Sequence, residues 1–235
     1  MSRPRRFDVD AVAFDLDGTL VDTVGELAQA LGATLAHDGL APLHVDVVRD
    51  LIGKGIPTLL DRAYVRARGR GLSPDELEAI VPRYHAHYDA AIGRSATPFP
   101  GAAAMLADLR ARGFALAVVT NKATRFVAAN LDHAGLGTAF DAIVGGDDAR
   151  AKKPDPAPMR LAAERLGVAP ARMLVVGDSA NDVASARAAG APVVAVPWGY
   201  REGAGVQELG ADAIVDSFDA LGPMLDGPAR RSPTR

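Results

Sequence analysis

The 235-residue chain contains no cysteine. Disulfides and thiolate metal sites are excluded, and the composition fits a reducing compartment, with the cytoplasm as the expected location. Runs of the roughly 20 apolar residues that a membrane span needs are also missing, so no membrane partner is expected. Nor is there a strong excess of one charge. Lys and Arg number 26 against 29 Asp and Glu, a formal net charge of -3, which gives no general attraction to nucleic acid or anionic lipid. Any anion-binding site must therefore be local. Residues 1–6 are basic like the start of a signal peptide, but an apolar strand ending in Asp15 follows without a small-residue cleavage site, so the start reads as a mature N-terminus.

Apolar residues make up 49% of the chain and charged ones 23% with both signs interspersed, the balance of an ordinary globular protein. The length allows one substantial core with a smaller inserted domain. Short apolar runs rich in β-formers occur at 9–14, 114–120, 142–145, 173–177 and 192–196. Helical periodicity fills 102–112, 124–134, 156–166 and 181–189, with Gly113, Gly135, Gly167 and Gly190 where C-terminal caps belong. This alternation predicts an α/β, doubly wound, Rossmann-like parallel sheet. It breaks between 22 and 97, where helical patterns at 23–38, 45–52, 56–69 and 73–91 contain no strand. The expected organisation is a core of 1–21 and 98–226, an inserted α-helical cap at 22–97, and a disordered tail at 227–235, which is rich in Pro, Ser and Arg.

In an open parallel sheet, ligands bind beyond the carboxyl ends of the strands. Polar residues cluster at those ends: Asp15-Leu16-Asp17-Gly18-Thr19 after the first run, Thr120-Asn121-Lys122 after the second, Lys153-Pro154 after the third, and Gly177-Asp178-Ser179-Ala180-Asn181-Asp182 after the fourth. Carboxylates, a hydroxyl and a lysine are thus brought together by separate strands.

The four segments, in this order, resemble the motifs of the haloacid dehalogenase superfamily over nearly the whole chain. Thr120-Asn121-Lys122, Gly145-Gly146-Asp147-Asp148, Lys152-Lys153-Pro154 and Trp198-Gly199-Tyr200 are similar to the bacterial phosphoglycolate phosphatase branch. The resemblance implies a phosphomonoester hydrolase that forms an aspartyl-phosphate on Asp15, with 2-phosphoglycolate as substrate. A carboxylate needs a cation beside it to attack an anionic phosphate, so Asp15 calls for a metal. Asp178 supplies a second anionic oxygen and the family pattern adds the Asp17 carbonyl, a set that suits Mg²⁺. The Asp17 side chain would protonate the leaving alkoxide and then deprotonate the attacking water. Thr120 would bind the transferring phosphoryl with Asn121, and Lys153 would offset its charge. Asp182 either holds the metal water or Lys153, or caps the helix that follows.

Gly53-Lys54-Gly55 resembles the family's substrate-specificity loop, with Lys54 meeting a substrate carboxylate, or is a plain connection between helices. Lys152 reads as a solvated surface charge. His85 and His87, two apart, face different ways on a helix and do not form a metal pair. Alternative activities are a phosphatase for a sugar phosphate or nucleotide, a phosphomutase, or a phosphonate hydrolase using Lys54 as a Schiff base. A non-catalytic phosphate-binding protein would have lost Asp15, Asp17, Lys153 or Asp178, and all are present. The expected partner is a small phosphorylated metabolite, and the chain is expected to be a monomer or homodimer.

Overall fold

The computed structural model describes residues 5–200, 203 and 205–226. The expectation of disorder for 227–235 falls outside them, as do residues 1–4. The elements are β1 (Phe7–Asp8), β2 (Ala11–Phe14), β3 (Val21–Asp22), α1 (Val24–His37), α2 (Val45–Arg49), α3 (Ile56–Arg68), α4 (Pro74–Ala91) and β4 (Thr97–Pro98). Then come α5 (Ala102–Ala111), β5 (Ala115–Val119), α6 (Thr124–His133), β6 (Ala142–Val144), α7 (Ala157–Leu166), β7 (Met173–Gly177), α8 (Ala180–Ala189), β8 (Val193–Ala195), β9 (Ala213–Ile214) and β10 (Leu225–Asp226).

The main sheet runs β6-β5-β2-β7-β8-β9, parallel throughout. From β2 the chain builds β5 and β6 on one side and β7, β8 and β9 on the other. The order therefore reverses at β2, and a crevice opens beyond its carboxyl end, the place where such sheets bind ligands. Successive side chains on each strand point to opposite faces. Ala11 and Ala13 pack with Ala117, Val175 and Val193 against Met159 and Ala162 of α7 and Val183 of α8. Val12 and Phe14 pack with Leu116, Val118, Leu174 and Val176 against Leu106 and Leu109 of α5. Helices cover both faces, which is why these strands read as continuous apolar runs rather than alternating ones. α7 and α8 end on Gly167 and Gly190 in the left-handed conformation, as their sequence positions predict.

The helical insertion has its own core. α1 buries Val24, Leu27, Leu31 and Leu35 along one stripe, and α4 buries Ile80, Tyr84, Tyr88 and Ala91. α4 starts on a capping box, Ser73 with Glu76, with Pro74 in its first turn. Tyr64, Tyr84 and Tyr88 are almost completely buried together with Leu31 and Leu60. Burial of each of the two leucines contributes roughly 1.5–3 kcal/mol. Phe126 of α6 and Tyr200 join the same cluster from outside, so the insertion is packed onto the sheet's carboxyl edge.

Three pairings go beyond the sequence reading. β9 adds a sixth strand to the main sheet, β1 pairs with β10, and β3 pairs antiparallel with β4 where the chain leaves and re-enters the core. Each is two residues long, too short to carry a period.

Candidate active site

Asp15 is the first residue past β2, and its N–H donates to the Val176 carbonyl at 2.9 Å, which fixes the chain between the two neighbouring strand ends. Lys153 lies opposite. Its Nζ donates to Asp15 Oδ1 at 2.8 Å, Asp182 Oδ1 at 2.6 Å and the Val119 carbonyl at 2.7 Å, which uses all three ammonium donors. Burial alone would pull this lysine down, but Asp15 and Asp182 outweigh it and lift it above the usual lysine range. Asn121 braces the lysine from behind: its Oδ1 accepts from Lys153 N, while its Nδ2 donates to the Lys153 and Gly53 carbonyls.

Asp182 does both things expected of it as alternatives. Oδ1 holds Lys153, and Oδ2 accepts from Ser179 N and Oγ in the capping box that starts α8. Asp178 is fixed at both oxygens, Oδ1 by the Thr19 hydroxyl at 2.7 Å and Oδ2 by Tyr200 N at 2.5 Å. Two glycines make room for it. A Cβ on Gly18 would sit 2.6 Å from Asp178 Oδ2, in a backbone with φ of 89°, and a Cβ on Gly199 would collide with the same carboxylate. Only glycine meets both demands at position 18.

Asp17 points into the cavity and is held by Thr23 Oγ1 at 2.7 Å and by Lys122 Nζ at 2.9 and 3.2 Å. Thr23 is the N-cap of α1, yet its hydroxyl makes no capping bond. The Tyr200 hydroxyl takes over, accepting from Thr23 N and Val24 N and donating to Asp22. Thr120 is buried at the end of β5, its Oγ1 accepting from Lys122 N.

One cavity joins these groups. Its floor is Asp15, Asp17, Thr120, Asn121, Lys122, Lys153 and Ser179, and its roof is Leu27, Ile56, Leu59 and Tyr88 from the helices with Ile52 from the α2–α3 connection. Gly53 and Gly55 line it as well, whereas Lys54 between them is exposed and is not part of the lining. Lys152 departs from the solvated surface charge expected of it. It is half-buried, with its ammonium folded over Gly55, where the missing Cβ leaves space. His85 sits edge-on to Phe126, 5.4 Å between ring centroids.

The donor set can be tested for a metal. Carboxylate oxygens of Asp15, Asp178 and Asp182 lie within 4.8 Å of one another, among the described residues the one such group. Burial pushes the Asp15 carboxyl up, to about 7, against the pull of Lys153, and burial followed by Asp15 and Asp182 pushes Asp178 well up. With Asp182 already engaged by Lys153 and Ser179, Asp15 and Asp178 are two crowded hard oxygen donors whose charge a divalent cation would offset. The residues fit such an ion.

Lys122 and Thr19 stand in the same short motifs as Asn121 and Asp17, which is the signal the sequence offers for them. Tyr200 stands in the Trp198-Gly199-Tyr200 motif, but nothing local links it to Thr23, 177 positions away, which it meets only in the fold.

The model of the haloacid dehalogenase-like hydrolase family matches residues 9–190. The phosphoglycolate phosphatase of Rhodospirillum rubrum is 44% identical over 222 residues, 93% of this chain and 91% of that protein. A solved structure of a predicted phosphoglycolate phosphatase from Haemophilus somnus superposes with a TM-score of 0.86 at 32% identity, covering 92% of this chain and 97% of the other. A mutant of CbbY from Rhodobacter sphaeroides, solved with xylulose-(1,5)bisphosphate, gives a TM-score of 0.77 at 28% identity, covering 94% and 98%.

Proposed function

This chain belongs to the haloacid dehalogenase-like hydrolases, and from that membership we propose that it hydrolyses 2-phosphoglycolate to glycolate and phosphate through a phospho-Asp15 intermediate. It is a phosphoric monoester hydrolase. The observation that carries the reading is the convergence of Asp15, Asp17, Thr120 and Lys153 on one cavity, with Asp178 behind them.

Asp15 Oδ1 is held by Lys153, which leaves the other oxygen to attack phosphorus. A bond forms between Asp15 and the phosphoryl group as the ester oxygen departs, and Asp17 delivers a proton to that oxygen. Asp17 then takes a proton from the water that attacks phospho-Asp15, and phosphate leaves. The Lys153 ammonium and Thr120 hydroxyl stabilise the charge on the transferring group. Mg²⁺, held by Asp15, Asp178 and the Asp17 carbonyl, would supply the positive charge that lets a carboxylate approach an anionic ester. Residues 22–97 act as the cap that closes over the site.

A sugar phosphate is the second reading, favoured by the likeness to CbbY bound to a sugar bisphosphate. The cavity speaks against it. Its roof is aliphatic apart from Tyr88, so the hydroxyls of a sugar chain would find few partners there.

Phosphate release from a panel of phosphorylated metabolites tests both readings. With Mg²⁺ present, 2-phosphoglycolate should be turned over with at least ~10-fold higher kcat/KM than sugar phosphates or nucleotides, a margin that one charge-assisted contact can supply. Excess chelator should stop release and added Mg²⁺ restore it. Preference for a sugar phosphate would sink the substrate assignment, and full activity in chelator would sink the metal.

A further inference from the structure

The cavity floor contains a second buried ammonium that the chemistry above leaves without a substrate. The Lys122 side chain is 3% exposed, with its Nζ between the two Asp17 oxygens and 4.8 Å from the centre of the Tyr88 ring. The helices contribute no charged group to the lining, and Lys54 lies outside it. Lys153 has all three donors engaged by Asp15, Asp182 and the Val119 carbonyl. Among the lining residues, Lys122 is thus the cation left for an anionic group on the non-transferred part of a substrate.

Resting on the phospho-acid reading, we propose that Lys122 is the specificity-determining residue, and that the substrate carboxylate displaces the Asp17 carboxylate from its ammonium. The exchange gives Lys122 a new carboxylate partner in place of Asp17, so the buried ammonium is never left without a counter-charge, the condition under which a buried charge is most costly. It also has a consequence for turnover. Once Lys122 is taken by the substrate, Asp17 keeps only the Thr23 hydroxyl and can turn to the leaving oxygen. A phosphomonoester whose non-transferred part is uncharged makes no such exchange, and Asp17 stays clamped by Lys122 and Thr23. Selectivity then arises in kcat as well as KM, because recognition of the carboxylate releases the proton-transfer group.

The test compares 2-phosphoglycolate with 2-hydroxyethyl phosphate, of similar size but with a neutral hydroxyl in place of the carboxylate. Both are assayed with Mg²⁺ on the full chain. In Lys122→Met the ratio of the two kcat/KM values should fall roughly 10- to 150-fold, the effect of one lost charge-assisted hydrogen bond. Lys122→Arg, which keeps the charge, should retain most of the preference. Should Lys122→Met fail to fold, Lys122→Gln gives the same ratio test with a polar end. An equal loss on both substrates would mean that Lys122 only positions Asp17, and an unchanged ratio would mean that it does not read the carboxylate; either overturns the proposal while leaving the substrate assignment standing. A wild-type enzyme without preference for 2-phosphoglycolate would overturn the substrate reading and this inference with it.

Discussion

Asp178 shows how narrowly single atoms are set in this site. Its carboxylate is pinned by the Thr19 hydroxyl and Tyr200 N–H while Gly18 and Gly199 leave the space it occupies. Gly18→Ala adds a Cβ 2.6 Å from Asp178 Oδ2 in a backbone that disfavours any side chain. The expected result is destabilisation of about 1–3 kcal/mol in urea unfolding, together with a Mg²⁺ requirement raised by roughly 10- to 100-fold, as for disturbed support of a metal ligand. Loss of stability alone, with unchanged Mg²⁺ dependence, would remove Asp178 from the metal site. Much of this was legible in the chain. Asp15, Asp17, Lys153 and Asp178 stand in short motifs at strand ends, and the fold brings them together. Lys122 was visible in the same motif as Thr120 but carried no role, because its partner Asp17 lies 105 residues away.

At the scale of elements, the start of α1 is the joint between sheet and cap. Thr23 has turned its hydroxyl to Asp17, and the first N–H groups of the helix depend on the hydroxyl of Tyr200. Tyr200→Phe leaves Thr23 N without its side-chain partner and Val24 N and Asp22 with only their mutual 3.3 Å bond, which should cost about 1–3 kcal/mol. Amide exchange of the first turn of α1 should speed up while the central strands keep their protection. Unchanged exchange there would mean that water replaces the tyrosine without loss. Sequence periodicity located the long elements to within a residue or two: β7 occupies 173–177 as read, and α4 starts one residue after its capping serine. It could not find the β3–β4 neck, since two residues have no period and their pairing joins positions 21–22 to 97–98.

On the scale of the whole molecule, the sheet supplies the reacting groups and the helical insertion supplies the roof. The Gly53 carbonyl accepts from Asn121 and Asn181, at 2.9 and 3.3 Å, so both sheet-end motifs hold the cap loop. The order reversal at β2 puts Asp15 at the crevice beyond that strand's end, and the proposed chemistry depends on its acting as the nucleophile. That claim is tested most directly in Asp17→Asn, which keeps the nucleophile but lacks the base that releases phosphate. An aryl phosphate, whose leaving group needs no proton, is mixed with this variant and Mg²⁺, quenched in acid and mapped by peptide mass spectrometry. One added phosphoryl group is expected, on the peptide carrying Asp15 and lost in the Asp15→Asn, Asp17→Asn double variant. A phosphoryl group on another residue, or turnover by wild-type enzyme that survives Asp15→Asn, would contradict that claim.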